Sequence, residues 1–471
     1  MNKPATTRSF SLQGKEESIL WLGLALLYFT FYDNSMFTAI LLVSSVLFSN
    51  MNQRQNSNLW RVPSSATERD ADGIIMSAVL IPLVLLVLQQ PTYALLVVIS
   101  SLGTPILGLV LGAAYFGQIH TYKIYFCILY LTLLHYPPMK VCTSMQGVLT
   151  KGEFKLLLTL GGILGMEGLQ WIPETEQDIY LSVATAGVTG CLLGCFVATR
   201  FPPLLVVRVP ILVGLPLILV EINLHHLSTH QPSIPFCFYW LLDFLMQLEG
   251  PFPRYYFLMY WTLILVILLP LSPISVSSTV VARKWFHFIA IVLFTPSTYY
   301  APKLMTLAYA ISSCVLMVVE HCQSFLPLQD FYLRYIDIDK DTAHKVIISH
   351  MSLIVGCAIP CWMAALTIDT TKALPFFGIL VLGLGDSMAA IVGTYYGRTK
   401  WGRHRSIEGS LAMWFSMMIV SSFVFGMNGS FLVAVTFTTF IEAFTCQIDN
   451  LILPLTGATL LLMMQTGRVQ E

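Results

Sequence analysis

Apolar runs recur along this chain from one end to the other, each long enough, at about 17–25 residues, to cross a bilayer. Roughly 14 to 16 of them can be counted, with Pro and Gly blurring several boundaries. Only 11% of the 471 residues are charged and 56% are hydrophobic, whereas a soluble chain carries about a quarter charged. The expected class is therefore an all-α, polytopic integral membrane protein with no room for a separate soluble domain. The 25 basic and 25 acidic residues cancel. Net charge thus points to no partner, nucleic acid included, and the distribution of charge has to carry the argument.

Residues 1–17 read as a polar, disordered tail, and the apolar run from Ile19 to Phe31 as a retained first helix. Residues 18–282 read as a transmembrane scaffold, 283–454 as the region where polar residues become informative, and 455–471 as a C-terminal helix and tail. Asn50 to Asp72 is the longest early polar loop, a solvated connector. His225, His226 and His230 crowd a Pro-rich connector without carboxylates at ligand spacing, so a solvated loop is expected there too. Of the ten cysteines, Cys191/Cys195 and Cys357/Cys361 are spaced to share helix faces. No His or Cys stands at zinc spacing beside them, which leaves packing as their role.

The stretch from Gly383 to Gly409 holds the densest chemistry. Gly385, Ala389, Gly393 and Gly397 fall four apart and form one smooth helical stripe that another backbone can approach closely. One carboxylate, Asp386, stands at its mouth. A basic loop follows, with Arg398, Lys400, Arg403, His404 and Arg405, closed by Ser406 and Glu408. A carboxylate able to hold magnesium, followed by cations able to neutralise phosphate, suits a polyphosphate site. A packing helix with a positive-inside loop is the other reading of the same residues.

If that basic loop faces the cytosol, counting spans in both directions puts Arg283-Lys284, the loop from Glu320 to Lys345, and Asp449-Asn450 on the same side. On a straight helix from Pro375, Asp386 would lie about 16 Å below the interface. An ionised carboxylate in lipid costs several kcal/mol, so Asp386 is expected to face a hydrated cavity or a cation. Gly383 and Gly385 are expected to break the helix before it.

The run Gly385-Asp386-Ser387, Ala389, Gly393, Gly397, then Arg405-Ser406 and Glu408-Gly409, resembles the polyprenol kinase family, and within it the branch acting on dolichol. The RKWFH run with Arg283, Lys284 and His287, the Ser349-His350 pair, and EAFTCQIDNLILPL with Glu442, Asp449 and Asn450 extend the likeness over roughly the last third. Arg405-Ser406 stands where the family more often has Lys-Thr, which keeps a cation and a hydroxyl. Thr150-Lys151-Gly152-Glu153 partly matches a Thr-x-Gly-Glu element of these kinases, although its flanks diverge.

The resemblance implies transfer of phosphate from CTP to dolichol with Mg²⁺ or another divalent cation. The setting it implies is the endoplasmic reticulum membrane, with the site facing the cytosol, in the service of protein glycosylation. No GxxxxGK[ST] loop and no protein-kinase motif set occurs, so nucleotide contacts must come from the loops named. Asp386 is the expected metal ligand, with Glu442 or Asp449 completing the shell. Lys400, Arg403 and Arg405 are expected on the triphosphate, with Ser406, Glu408 and Gly409 adding contacts. His287 and His350 are candidates for the general base, or are buried helix-contact residues. Asp337, Asp339 and Asp341 lack the Gly and Glu of a calcium loop and read as solvated. Other acceptors (phytol, farnesol, diacylglycerol), a phosphatidate cytidylyltransferase, and a secondary transporter with a Gly-broken helix are the rival readings.

Overall fold

In lipid a backbone has no water to bond, so apolar spans close their own hydrogen bonds as helices. The structure, a computed structural model, describes residues 13–31, 39, 41–43, 45, 73–88, 149–168, 176–198, 201, 205–228, 236–271, 279–322, 348–367, 372–401, 405–426 and 428–466. In chain order the α-helices are α1 (Gln13–Phe31), α2 (Ile74–Val87), α3 (Lys151–Gly168), α4 (Glu176–Ala198), α5 (Leu205–Ser228), α6 (Cys237–Met246) and α7 (Tyr255–Leu268). They continue with α8 (Thr279–Tyr300), α9 (Pro302–Cys322), α10 (Ser349–Ala365), α11 (Asp386–Tyr395), α12 (Ile407–Phe425), α13 (Gly429–Phe444) and α14 (Asp449–Thr466). A 3₁₀ turn (Leu374–Phe376) and a π-helical segment (Ile379–Gly385) lead into α11.

The all-α, polytopic expectation is borne out. Among the described residues, five helices are long and apolar enough to cross a membrane, and eight shorter apolar helices accompany them. Several runs in the sequence count fall outside the described residues, as do Asp337, Asp339 and Asp341. The only strands among the described residues are Leu248–Glu249 and Phe252–Pro253, a minimal antiparallel pair around Gly250. Helix α1 starts at Gln13, so residues 13–17, expected in the tail, are helical: Lys15, Glu16 and Glu17 are good helix formers.

Helices in lipid are held together by close packing and by polar groups that bridge them, since apolar surface gains little from association there. Trp261 Nε1 donates to Ser297 Oγ at 2.7 Å, Trp362 Nε1 to the Thr306 carbonyl at 3.1 Å, and Trp414 Nε1 to Thr436 Oγ1 at 2.9 Å. The small-residue stripe packs as the sequence predicts. A Cβ on Gly409 would meet the Ala389 carbonyl oxygen at 2.8 Å and Gly393 Cα at 3.2 Å, so α12 lies backbone to backbone on α11.

Helix direction sorts the loops. The starts of α8, α10, α12 and α14 and the end of α13 gather at one end, as the contacts among Lys284, Asp386, Arg405, Glu442, Asp449 and Ser349 require. The starts of α2 and α3 join them, through Gly73 and Thr150. The turn at Leu248–Pro253 sits at the opposite end, where Glu249 accepts the Lys303 amide at 2.7 Å. Buried Arg254 pairs there with Glu249 at 2.6 Å and lies over the Phe244 ring.

Candidate active site

Lys284 and His287 are three residues apart on α8 and therefore share a face. Both are aimed at Asp386, the first residue of α11. Lys284 Nζ forms an ion pair with Asp386 Oδ2. His287 Nδ1 lies 3.5 Å from the same oxygen and 2.8 Å from the Leu382 carbonyl oxygen. A carbonyl can only accept, so Nδ1 carries the hydrogen and Nε2 keeps its lone pair.

Leu382 belongs to the π-helical segment. The expected glycine break is thus a widened turn, with the chain still helical through Gly383 and Gly385. Widened turns of this kind recur at functional positions and loosen the regular ladder. Here the turn presents a carbonyl to His287 just ahead of the carboxylate.

Asp386 is 1% exposed. Among the described residues no donor reaches its second oxygen, Oδ1, and none reaches Ser387 Oγ beside it. Leaving a buried polar group unsatisfied costs about 1–3 kcal/mol, and more for a charged one. The arrangement is stable only with something bound or with a large cost accepted for function.

The second half of the site is organised by Arg405. Its Nη1 donates to Glu442 Oε1 at 2.8 Å and its Nη2 to Asp449 Oδ2 at 3.0 Å. Arg405 lies in the loop outside the membrane spans, and its guanidinium pKa is raised above the ordinary value. Glu442 is the largest cause, opposed by burial, with Asp449 and Asp386 adding to the rise. Ser410 donates to the other Glu442 oxygen at 3.4 Å, and Asp449 Oδ1 accepts the Asn450 amide at 3.0 Å. The Asn450 side chain donates to the Ser349 carbonyl at 3.3 Å, which brings the start of α10, with His350, to the same end.

The basic loop is itself a tight structure. Ile407 N donates to the Thr399 carbonyl at 2.9 Å and Trp401 N to the Arg405 carbonyl at 3.2 Å. Glu408 accepts the Thr399 amide at 3.0 Å, and Ser406 Oγ accepts the Gly409 amide at 3.2 Å as the N-cap of α12. These groups, expected on phosphate, therefore hold the loop's own shape, although the Ser406 hydroxyl hydrogen is still available to an acceptor. Arg405 is likewise held between carboxylates, with its remaining N–H groups available. Lys400 is exposed at the loop edge, and Arg403 lies outside the described residues.

Sequence reasoning underrated a third group. Thr150 and Glu153 form a reciprocal cap at the start of α3: Glu153 Oε2 accepts the Thr150 amide at 2.7 Å, and Thr150 Oγ1 accepts the Glu153 amide at 3.2 Å. The other Glu153 oxygen accepts the Ile448 amide at 2.5 Å, and Thr150 Oγ1 donates to Gln447 Oε1 at 2.6 Å. The Thr-x-x-Glu spacing was a readable signal for the cap. Its long-range partner was not.

Asp386 is expected to hold the metal with Glu442 or Asp449 completing the shell; among the described residues no group of three His, Cys, Asp or Glu is arranged to hold an ion. Glu442 and Asp449 face Arg405 instead. The partnerless Asp386 Oδ1 nevertheless fits a magnesium ion, which takes one or two carboxylates and completes its shell with water and substrate phosphate.

No family model matches the sequence, and no solved structure matches it. Among curated proteins, the chain is similar to the dolichol kinase EVAN of Arabidopsis thaliana, at 34% identity over 48% of this chain and 42% of that protein. It is similar to the dolichol kinase of Mus musculus at 28% identity, over 65% of this chain and 64% of that protein. With the dolichol kinase of Saccharomyces cerevisiae it shares 30% identity, over 39% of this chain and 34% of that protein. The chain thus matches less than two thirds of the length of each. The resemblance carried by the motifs is borne out.

Proposed function

We propose that this chain phosphorylates dolichol, moving the terminal phosphoryl group of CTP to the lipid's hydroxyl. The setting we propose is the endoplasmic reticulum membrane, the reacting end faces the cytosol, and the dolichyl phosphate formed serves protein glycosylation. The observation that carries this reading is the buried Asp386, paired with Lys284 through one oxygen and without a donor on the other, at a helix start in an apolar span. An acceptor hydroxyl at the end of an insoluble chain has to be met at such a depth. The names of the similar proteins support the substrate, and the gathering of Lys151, Arg283, Lys284, Lys400 and Arg405 at one end, against Arg254 and Lys303 at the other, supports the orientation.

In this reading His287 Nε2 takes the proton of the dolichol hydroxyl. The hydroxyl oxygen forms a bond to the γ-phosphorus, the bond from that phosphorus to the β–γ bridging oxygen breaks, and the electron pair leaves with CDP. Lys284 and the outward N–H groups of Arg405 neutralise charge on the phosphate oxygens, with Lys400 at the rim. Asp386 Oδ1 would hold Mg²⁺, which when bound offsets charge on the β- and γ-phosphates. Positioning and charge do most of the work in phosphoryl transfer, which is consistent with a site built from ion pairs.

The test is purified protein with CTP labelled at either the α or the γ phosphorus, ATP as a competing donor, and a panel of prenols, phytol, farnesol and diacylglycerol. Label should move to dolichol from the γ position only. Label from the α position in lipid would indicate cytidylyl transfer instead.

A further inference from the structure

We infer that Glu153 is a positioning residue of this site, anchoring the backbone from which Asp449 projects and through it one of the two carboxylates that hold Arg405. The inference rests on the kinase reading above and gives a structural role to a residue that lies within the 18–282 scaffold and whose stretch partly matches an element of these kinases.

Glu153 is fully buried, yet it lies at the head of α3 with both carboxylate oxygens occupied by backbone amides, one of them 295 residues away in sequence. Ile448, the owner of that distant amide, immediately precedes α14, and its carbonyl accepts the first amides of that helix from Leu451 and Ile452 at 3.1 and 3.0 Å. Ile448 has no side-chain oxygen to cap the helix. Glu153 sets a negative charge at this positive helix end from another part of the chain. The next residue is Asp449, whose two oxygens hold the Asn450 amide and Arg405. Shifting Ile448 therefore moves Asp449 and releases one arm of the Arg405 fork.

Close backbone packing supports the same junction. Gly73 has φ of +64°, and a Cβ there would meet Gln447 Oε1 at 2.6 Å and Thr150 Oγ1 at 3.0 Å, while a Cβ on Gly152 would collide with the Gly73 carbonyl. Three separate pieces of chain, before α2, before α3 and before α14, meet with no room for a side chain between them. Such a junction fixes geometry to fractions of an ångström, the tolerance that positioned phosphoryl transfer requires.

The experiment compares the full chain with Glu153→Gln and Thr150→Val in detergent. Hydrogen exchange is read on peptides covering residues 445–452 and 205–228, together with thermal midpoint, turnover, and KM for the prenol. An amide offers one acceptor oxygen where the carboxylate offers two, so Glu153→Gln must drop one backbone amide. Exchange should quicken at 445–452 and stay unchanged at 205–228, turnover should fall at least about tenfold, and prenol KM should stay within about twofold. Thr150→Val should move the same readouts by less, and it carries the test if Glu153→Gln does not fold.

Unchanged exchange at 445–452 overturns the anchoring, and quickened exchange with wild-type turnover overturns the positioning. If the wild-type chain transfers phosphate to no prenol, the kinase reading fails, and the exchange data alone decide whether the anchor exists.

Discussion

His287 Nδ1 lies 2.8 Å from the carbonyl oxygen of Leu382, a hydrogen bond from α8 to the π-helical segment that chooses the tautomer of the imidazole. With that nitrogen donating, Nε2 is the basic one. His287→Asn can keep a donor to Leu382 but has no basic nitrogen. Turnover should fall about 100-fold or more while the thermal midpoint holds. A pH profile of His287→Asn that retains the wild-type acid limb would show that another group is the base, with His350 next to examine.

Asp386→Asn removes a carboxylate whose Oδ1 has no donor among the described residues, and turnover should fall at least about 1,000-fold. It also strands the Lys284 ammonium in a buried place, which costs about 3–5 kcal/mol of stability. Adding Lys284→Met to Asp386→Asn should recover thermal stability without recovering activity. Ser387→Ala should cost far less than Asp386→Asn. Well-folded Asp386→Asn protein with more than about a tenth of wild-type turnover would leave the metal assignment without support.

Arg405→Lys tests the fork between Glu442 and Asp449. An ammonium is a point donor and cannot reproduce two divergent N–H bonds, so a fall in turnover of about tenfold to 100-fold is expected. The raised pKa of Arg405 means its contribution to stability is present throughout the working range and would be lost only as pH rose through a value beyond it. Arg405 should therefore add no limb to the pH–stability curve between pH 5 and 9, roughly the range where proteins are handled. An alkaline limb present in the wild type and missing from Arg405→Met would contradict this.

Sidedness is testable at two exposed positions. In a background without native cysteines, Lys400→Cys should react with impermeant reagent from the cytosolic side, and Pro251→Cys, in the turn at the opposite end, only after the compartment is opened. Labelling of both from one side would sink the placement of the two ends.

The local parts of this site were readable from sequence because local spacing determines them. The Gly385–Gly397 stripe and Asp386 lie within a few helical turns, and the face shared by Lys284 and His287 follows from their spacing alone. The pairing of Lys284 with Asp386 spans 102 residues, and no periodicity reports a contact between separate helices. Arg405 illustrates a different difficulty. A cation in a basic loop reads as a phosphate ligand, and only folding shows that Glu442 and Asp449 have engaged it first. Glu153 was undervalued because a capping box needs no function, and the second amide it accepts belongs to a distant helix.

The wide turn at Ile379–Gly385 has a consequence for how this gene can change length. Before it, a Cβ on Gly378 would meet the Gly356 carbonyl oxygen at 2.6 Å and Cys357 Cα at 2.8 Å, so that part of the chain is docked on α10. After it, Ala389 and Gly393 are docked on α12. The π-helical segment carries about one residue more than a regular ladder needs to join the same two docked halves. Deleting a single residue there would let the ladder close regularly with both halves still docked, and would remove the loosened turn that offers the Leu382 carbonyl to His287. Inserting a residue would instead rotate one docked half against the other by about 100°. Either Asp386 would then swing away from Lys284, or the glycine contact with α10 would open.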